Sequence, residues 1–188
     1  MKCYLCGSKK STIRPGECRD NLNIRIIECN QCGLVYLSDF SHIGESFYEN
    51  SGQVRSNKDT KVLSTASVID TTRRFNQFSS LFVNKSVLDF GCGKGHFLMK
   101  LKNECITSDL NSLEINEDYS FDLNKNFNHF SSIDEVENQS MDYITIFHVL
   151  EHLSDPLEIL NKLYSKLKTG GKIIIEVPSS DDILLKTY

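Results

Sequence analysis

Val87–Leu98 reads V-L-D-F-G-C-G-K-G-H-F-L, and this stretch decides the fold. An apolar run (Val87, Leu88, Phe90) breaks into glycines at alternate positions, Gly91, Gly93 and Gly95. An apolar helical pattern, Phe97, Leu98 and Leu101, follows at once. Strand, tight glycine loop and helix in that order open a parallel α/β sheet, and the loop after the first strand is where such sheets bind nucleotide-like ligands. Glycine is required there because the backbone turns through angles that side chains forbid and lets a ligand come close. The spacing D-x-G-x-G-x-G is neither the G-x-G-x-x-G of dinucleotide sites nor the G-x-x-x-x-G-K-[ST] of phosphate loops. Taken alone, the glycine pattern also suits a plain tight turn.

A chain of 188 residues that is 39% hydrophobic can bury a core and fits one ordinary domain with a small appendage. The net charge is -4 and no Lys/Arg-rich block occurs, so the electrostatic footprint of a nucleic-acid binder is missing. No apolar run is long enough to span a bilayer, and the start, M-K-C-Y-L-C-G, lacks the apolar core of a signal peptide. These features predict a cytoplasmic protein without a nucleic-acid or membrane partner. In that compartment the seven cysteines are expected as metal ligands or buried thiols rather than disulfides.

Residues 1–40 carry two knuckles, Cys3-Tyr-Leu-Cys6-Gly7 and Cys29-Asn-Gln-Cys32-Gly33. Paired C-x-x-C turns suit a tetrahedral Zn(II) held by Cys3, Cys6, Cys29 and Cys32, and four thiolates leave no open position for a water or substrate. The site is therefore expected to be structural, a zinc-ribbon-like module with strands at Ile24–Ile27 and Leu34–Leu37. Free-thiol turns, a redox pair or an iron site are the other readings. Residues 41–58 are polar and Gly/Ser/Asn-rich and read as a linker, in which Tyr48 can either close over a substrate or dock the linker. Residues 59–188 form the main domain. It begins with a helix over 59–82 that carries Val62, Ala66, Ile69, Phe75, Phe78 and Phe82 on one loose stripe. Arg73 and Arg74 lie in its second half, and one of them can reach a carboxylate in the ligand site.

After the glycine loop the pattern predicts a helix to about Asn103, then a strand over Cys105–Ser108 that ends in Asp109. An acid at the tip of a second strand can accept hydrogen bonds from both ribose hydroxyls, although the usual interval from the glycine loop, about 20 residues, is longer. A helix N-cap is the other reading of Asp109. Residues 111–128 show no convincing helix. Phe127–Phe130 reads as a weak third strand, followed by Ser132 and Ile133 at the edge of an adenine pocket. Tyr143–Phe147 is an apolar strand ending in the polar cluster His148, Glu151 and His152. Ser154 or Asp155 caps the next helix, Pro156 occupies its first turn, and Thr169-Gly170-Gly171 ends it. Lys172–Val177 reads as a buried strand halted by Pro178.

V-L-D-F-G-C-G-K-G, S-D-L, M-D-Y-I-T-I-F-H-V-L-E-H-L-S-D-P and L-K-T-G-G-K-I-I-I-E-V-P occur in the order and spacing of class I S-adenosylmethionine-dependent methyltransferases, which the chain resembles over about residues 85–180. The two-knuckle segment, residues 1–37, looks like the N-terminal zinc module of sugar methyltransferases of surface-polysaccharide and antibiotic-sugar pathways. The resemblance implies a Rossmann-like doubly wound sheet and S-adenosylmethionine as cofactor. It implies that Asp89, Gly91, Gly93 and Gly95 meet the methionine portion and that Asp109, with Leu110 beside it, holds the ribose. Ser132 and Ile133 fall near the adenine, Phe147 and His148 line the cofactor beside its sulfonium, and Arg73 is expected at the same site. Similar O-methyltransferases of quinone biosynthesis place a metal-binding carboxylate and histidine where Glu151 and His152 stand.

The family sheet has seven strands, and this sequence supplies five. An apolar edge at Ile173–Val177 is an aggregation liability. The expectation is that the sequence is part of a longer protein whose last two strands cover that edge, or that a second copy does. Methyl transfer from a sulfonium is an in-line displacement, so the protein supplies alignment and proton removal. His148 and His152 are the candidate bases, with Glu151 orienting one of them or binding the acceptor and Tyr48 closing over it. The expected activity is O-methylation of a small hydrophilic acceptor, a sugar or a nucleotide-linked precursor of surface-polysaccharide biosynthesis. An rRNA or tRNA methyltransferase with a zinc ribbon and a non-catalytic cofactor-binding subunit remain the alternatives.

Overall fold

The computed structural model describes residues 2–16, 23–39 and 65–179. The linker with Tyr48, Cys18 and the first residues of the predicted 59–82 helix lie outside the described residues. The N-terminal part is a three-stranded antiparallel sheet of β1 (Ser11–Arg14), β2 (Ile26–Cys29) and β3 (Val35–Leu37). The strand predicted at Ile24–Ile27 starts two residues later and runs into the second knuckle, and β1 pairs with it through Ser11 opposite Cys29. Cys3, Ile27, Cys29 and Tyr36 form its small core.

The main part is a parallel five-stranded sheet in the order β6-β5-β4-β7-β8. Its strands are β4 (Val87–Phe90), β5 (Leu110–Leu113), β6 (Asn128–Phe130), β7 (Met141–Phe147) and β8 (Leu167–Glu176). Among the described residues four helices accompany it: α1 (Thr65–Phe78), α2 (His96–Asn103), α3 (Ser120–Asn126) and α4 (Pro156–Lys166). Alternation along β4 divides the core. Leu88 and Phe90 join Ile144, Ile146, Leu163 and Leu167 on the α4 side. Val87 joins Phe82, Phe97, Leu98, Leu101 and Leu123 on the side of the other three helices. Buried apolar faces on both sides of a parallel sheet make the doubly wound, Rossmann-like architecture expected from the glycine motif. Strand order reverses between β4 and β7, and the carboxyl ends of those two strands bound the crevice where such sheets take ligands.

Several elements differ from expectation. The second strand is Leu110–Leu113, not Cys105–Ser108; residues 105–109 form a turn with Cys105 at φ 53°. The strand tolerates polar Asn111 and Ser112 in its buried interior because both are hydrogen-bonded, Asn111 Nδ2 to Asp109 Oδ1 at 2.9 Å and Ser112 Oγ with His129 Nδ1 at 3.1 Å. A short crossover helix, α3, does form, preceded by a 3-10 turn whose Asn116 side chain accepts from the Asp118 N–H at 3.0 Å. Asp155 caps α4, accepting from the Glu158 N–H at 3.0 Å, with Pro156 in the first turn as predicted. That helix stops at Lys166, and Thr169–Gly171 lies within β8. There the register slips between the pairs Met141/Leu167 and Tyr143/Lys172. β8 is an edge strand among the described residues and is half-exposed rather than buried, with Ile175 at 44% and Val177, just beyond its end, at 46%. On α1, Phe75 and Phe78 pack inward, whereas Ile69 faces solvent. No helix among the described residues is long and apolar enough to cross a membrane.

Candidate active site and cysteine cluster

The glycine loop turns out of β4 through positive φ at Gly91 (69°), Gly93 (54°) and Gly95 (71°). Two of these positions need glycine for different reasons. A Cβ at Gly91 would stand 2.5 Å from Val149 Cγ2, so the loop packs directly beneath the segment that follows β7. A Cβ at Gly93 would meet nothing within 4 Å, so there the backbone itself faces open space. The Gly93 N–H donates to Glu114 Oε2 at 2.8 Å, and Glu114 Oε1 accepts from the Asn116 N–H at 3.0 Å. Each carboxylate oxygen keeps a lone pair for a further donor.

Glu114 follows the last residue of β5 and is the acid at the carboxyl end of the second strand. Asp109 is not. It precedes β5, at the opposite end of the sheet from the glycine loop, where it accepts from Ser86 Oγ and Asn111 Nδ2. Leu110 is buried as the first residue of the same strand, paired in register with Val87. Neither reaches the crevice, because the strand begins where it was expected to end. Glu114 is the functional candidate that the sequence reading missed. Its signal was available: it lies 21 residues beyond Gly93, the interval usual for the ribose-binding acid.

Asp89 is buried on the α1 and α2 side of the sheet and accepts from Thr145 Oγ1 at 2.7 Å. Burial pushes its carboxyl up to about 7, against the pull of Thr145 and Arg74, with Glu114 adding to the rise. Cys92, between the first two glycines, is likewise raised by burial and by Asp89. Ser132 caps the 3-10 turn Ile133–Glu135 at the carboxyl end of β6, and Ile133 is buried in the core.

The end of β7 gathers the rest. Phe147 packs edge-on to Phe97, with ring centres 5.2 Å apart, and Arg74 lies 4.7 Å over its face. His148 sits at φ 55°, a left-handed conformation unusual outside glycine. Its Nδ1 is 3.3 Å from Glu151 Oε1 and its Nε2 is 3.0 Å from Glu176 Oε1. The same Glu176 oxygen accepts from Arg73 at 2.7 Å and Arg74 at 2.6 Å. Burial works to raise the Glu176 carboxyl, but the bonds from Arg74 and Arg73 outweigh it and hold it at about 2. The guanidinium of Arg73 is thus engaged by a carboxylate of the protein. His152 Nε2 stands 4.0 Å from Glu151 Oε1. Sequence reading brought His148, Glu151 and His152 together correctly but did not find Glu176, whose only sequence mark is a charge inside an apolar run.

The four knuckle cysteines converge. One sulfur from each lies within 4.8 Å of all the others, the sole such cluster of potential ligands among the described residues. Cys3 and Cys32 sulfurs are 3.7 Å apart, and Cys6 and Cys29 sulfurs 3.5 Å apart. A tetrahedral ion with metal–sulfur bonds near 2.3 Å sets sulfurs about 3.8 Å apart, so the donor set fits Zn(II). Backbone N–H groups of Cys32 and Gln31, with the Cys6 and Cys32 thiols, lower the Cys29 thiol to about 6. Glu151 and His152 belong to no group of three or more ligating side chains, among the described residues, whose donor atoms all lie within 4.8 Å of one another.

A family model described as a methyltransferase domain matches residues 65–187. A SAM-dependent methyltransferase from Archaeoglobus fulgidus is similar at 32% identity and a TM-score of 0.52, covering 60% of this chain and 53% of that one. The plantazolicin methyltransferase BpumL, solved with a pentazolic desmethylPZN analog and SAH, is similar at 22% identity and a TM-score of 0.56, covering 76% of this chain and 60% of that one. The match therefore spans less than two thirds of either protein's length. The second likeness speaks for the fold alone. No curated protein matches the chain.

Proposed function

The chain belongs to the methyltransferase-domain family, and from that premise we propose that it methylates a small hydrophilic acceptor with S-adenosylmethionine, at an oxygen of a sugar or nucleotide-linked precursor of surface-polysaccharide biosynthesis. When bound, that cofactor supplies an electrophilic methyl group on a sulfonium. The single observation that carries the reading is the pairing of Gly93 with Glu114 at the carboxyl ends of β4 and β5, beside the point where strand order reverses. Open space at Gly93 leaves backbone exposed to the amino-acid part of the cofactor, and Glu114 offers free lone pairs to its ribose hydroxyls. Ser132 and Ile133, at the neighbouring strand end, are assigned to the adenine side, and Phe147 to the reactive end. Asp89, buried beneath the loop, holds the strand that carries the glycines.

A hydroxyl acceptor needs a base near neutrality. His152 takes that role, with Glu151 beside it. His148 has both ring nitrogens against carboxylates and is the weaker candidate. The net charge of -4 supports a small acceptor over a nucleic acid. The convergent sulfurs of Cys3, Cys6, Cys29 and Cys32 support a structural Zn(II). The reading is tested by methyl transfer from labelled S-adenosylmethionine to a panel of nucleotide sugars. Turnover is expected on one of them, with His152→Ala slowing it about a hundredfold and leaving S-adenosylhomocysteine affinity within about twofold. An unchanged rate in that variant removes His152 as the base.

A further inference from the structure

Two guanidiniums converge on one carboxylate at the carboxyl end of β8. Glu176 Oε1 accepts from Arg73 Nη2 at 2.7 Å and from Arg74 Nη2 and Nε at 2.6 and 3.1 Å. His148 Nε2 stands 3.0 Å from the same oxygen. The other carboxylates of the cluster are Asp70, 3.6 Å from Arg73 Nη2, and Glu151, 3.3 Å from His148 Nδ1. The cluster abuts the glycine loop. The His148 N–H donates to the Glu176 carbonyl at 2.9 Å, and the next residue, Val149, is the side chain that a Cβ at Gly91 would strike. The Arg74 side chain is only 14% exposed, and its guanidinium lies 4.7 Å over Phe147, the register partner of Glu176. Burial raises the Asp89 carboxyl, while Thr145 and the Arg74 charge pull against it, so the field of that guanidinium reaches the strand beneath the loop.

We propose that Glu176 is a specificity-determining residue: by neutralising Arg73 and Arg74 it favours the sulfonium of S-adenosylmethionine over the uncharged thioether of S-adenosylhomocysteine. This rests on the methyltransferase reading, which assigns Phe147 to the reactive end. The two ligands share every other group and differ by one methyl group and one positive charge on sulfur. Guanidiniums left uncompensated beside Phe147 repel the sulfonium and are indifferent to the thioether. Glu176 removes that repulsion where it acts, and the same balance weakens the hold on the product once the charge is gone. Because Arg74 and Glu176 are mostly buried, salt screens the effect only in part.

Calorimetric titration of the full chain with each ligand gives the ratio of the two dissociation constants, and that ratio cancels any general loosening of the site. Glu176→Gln keeps the shape and removes the charge. It should weaken S-adenosylmethionine relative to S-adenosylhomocysteine about tenfold. Arg73→Gln removes a positive charge at a more exposed position and should move the ratio about threefold the opposite way. Arg73→Lys, which keeps the charge, should leave the ratio within about twofold of the wild type. The opposite signs separate charge from mere disturbance, and the Arg73 variants decide the matter should Glu176→Gln not fold. An equal loss of both ligands in Glu176→Gln overturns the proposal. So does an Arg73→Gln ratio that stays put or moves in the same direction as that of Glu176→Gln. A wild type that binds neither ligand overturns the methyltransferase reading and the proposal with it, whereas binding of both with unmoved ratios overturns the proposal alone.

Discussion

At the scale of single residues, the glycines of the loop separate by what lies beside them. Gly91→Ala drives a methyl group against the stiff Val149 side chain, and overpacking of this kind costs about 1–3 kcal/mol in urea denaturation. Gly93→Ala meets no atom and should cost only the left-handed backbone strain, about 1–2 kcal/mol. Because both positions have positive φ and only the first adds overpacking, the expected results are a larger stability loss in Gly91→Ala and a displaced Val149 only in that variant, read by denaturation and crystallography. Asp89 predicts a pH effect. Burial raises its folded-state value from 3.8 to about 7, so the folded chain holds the proton more tightly than the unfolded one. Stability from this group is complete below the unfolded value and is lost as pH rises through about 7. Asp89→Asn keeps the acceptor for Thr145 and should flatten the fall in stability across that window; an unchanged slope contradicts it. The glycines and Asp89 were legible because loop chemistry is local. Glu114 was overlooked for Asp109 because Asp109 follows a more apolar tetrapeptide, while the true strand hides Asn111 and Ser112 in its interior. Besides the local bond of Asn111 to Asp109, the two have long-range partners, Asn128 and His129, which no local pattern reveals.

At the scale of elements, start and stop signals were readable wherever a side chain caps the backbone. The Asp155 cap and Pro156 fix the start of α4. The glycines at 170–171 misled, because they serve a slip in strand register instead of a helix end, and register depends on the neighbouring strand. Two C-x-x-C turns forecast the convergence of four sulfurs, since each turn brings its own pair together and the antiparallel sheet brings the turns together. This element makes its own prediction. Elemental analysis should find about one zinc per chain, lost in Cys32→Ser. A chain folded with four free thiols and no metal contradicts it. The third strand of the module, β1, left no mark in the sequence, being exposed and polar along most of its length.

At the scale of the molecule, the sheet order β6-β5-β4-β7-β8 puts the glycine loop, Glu114 and the His148–His152 segment at one end. Ile175 and Val177 are exposed along the outer edge of the sheet, 44% and 46%. What no local reading could supply is the crossing of Arg73 and Arg74 onto Glu176, 103 and 102 positions away. The central claim is that the crevice at the strand reversal grips an adenosyl cofactor, with Glu114 on its ribose. Calorimetric titration of S-adenosylhomocysteine into the wild type, Glu114→Ala and Asp109→Ala tests it most directly. The account predicts binding to the wild type, a loss of about tenfold or more in Glu114→Ala and affinity near wild type in Asp109→Ala. No binding to the wild type, or a loss confined to Asp109→Ala, would contradict it.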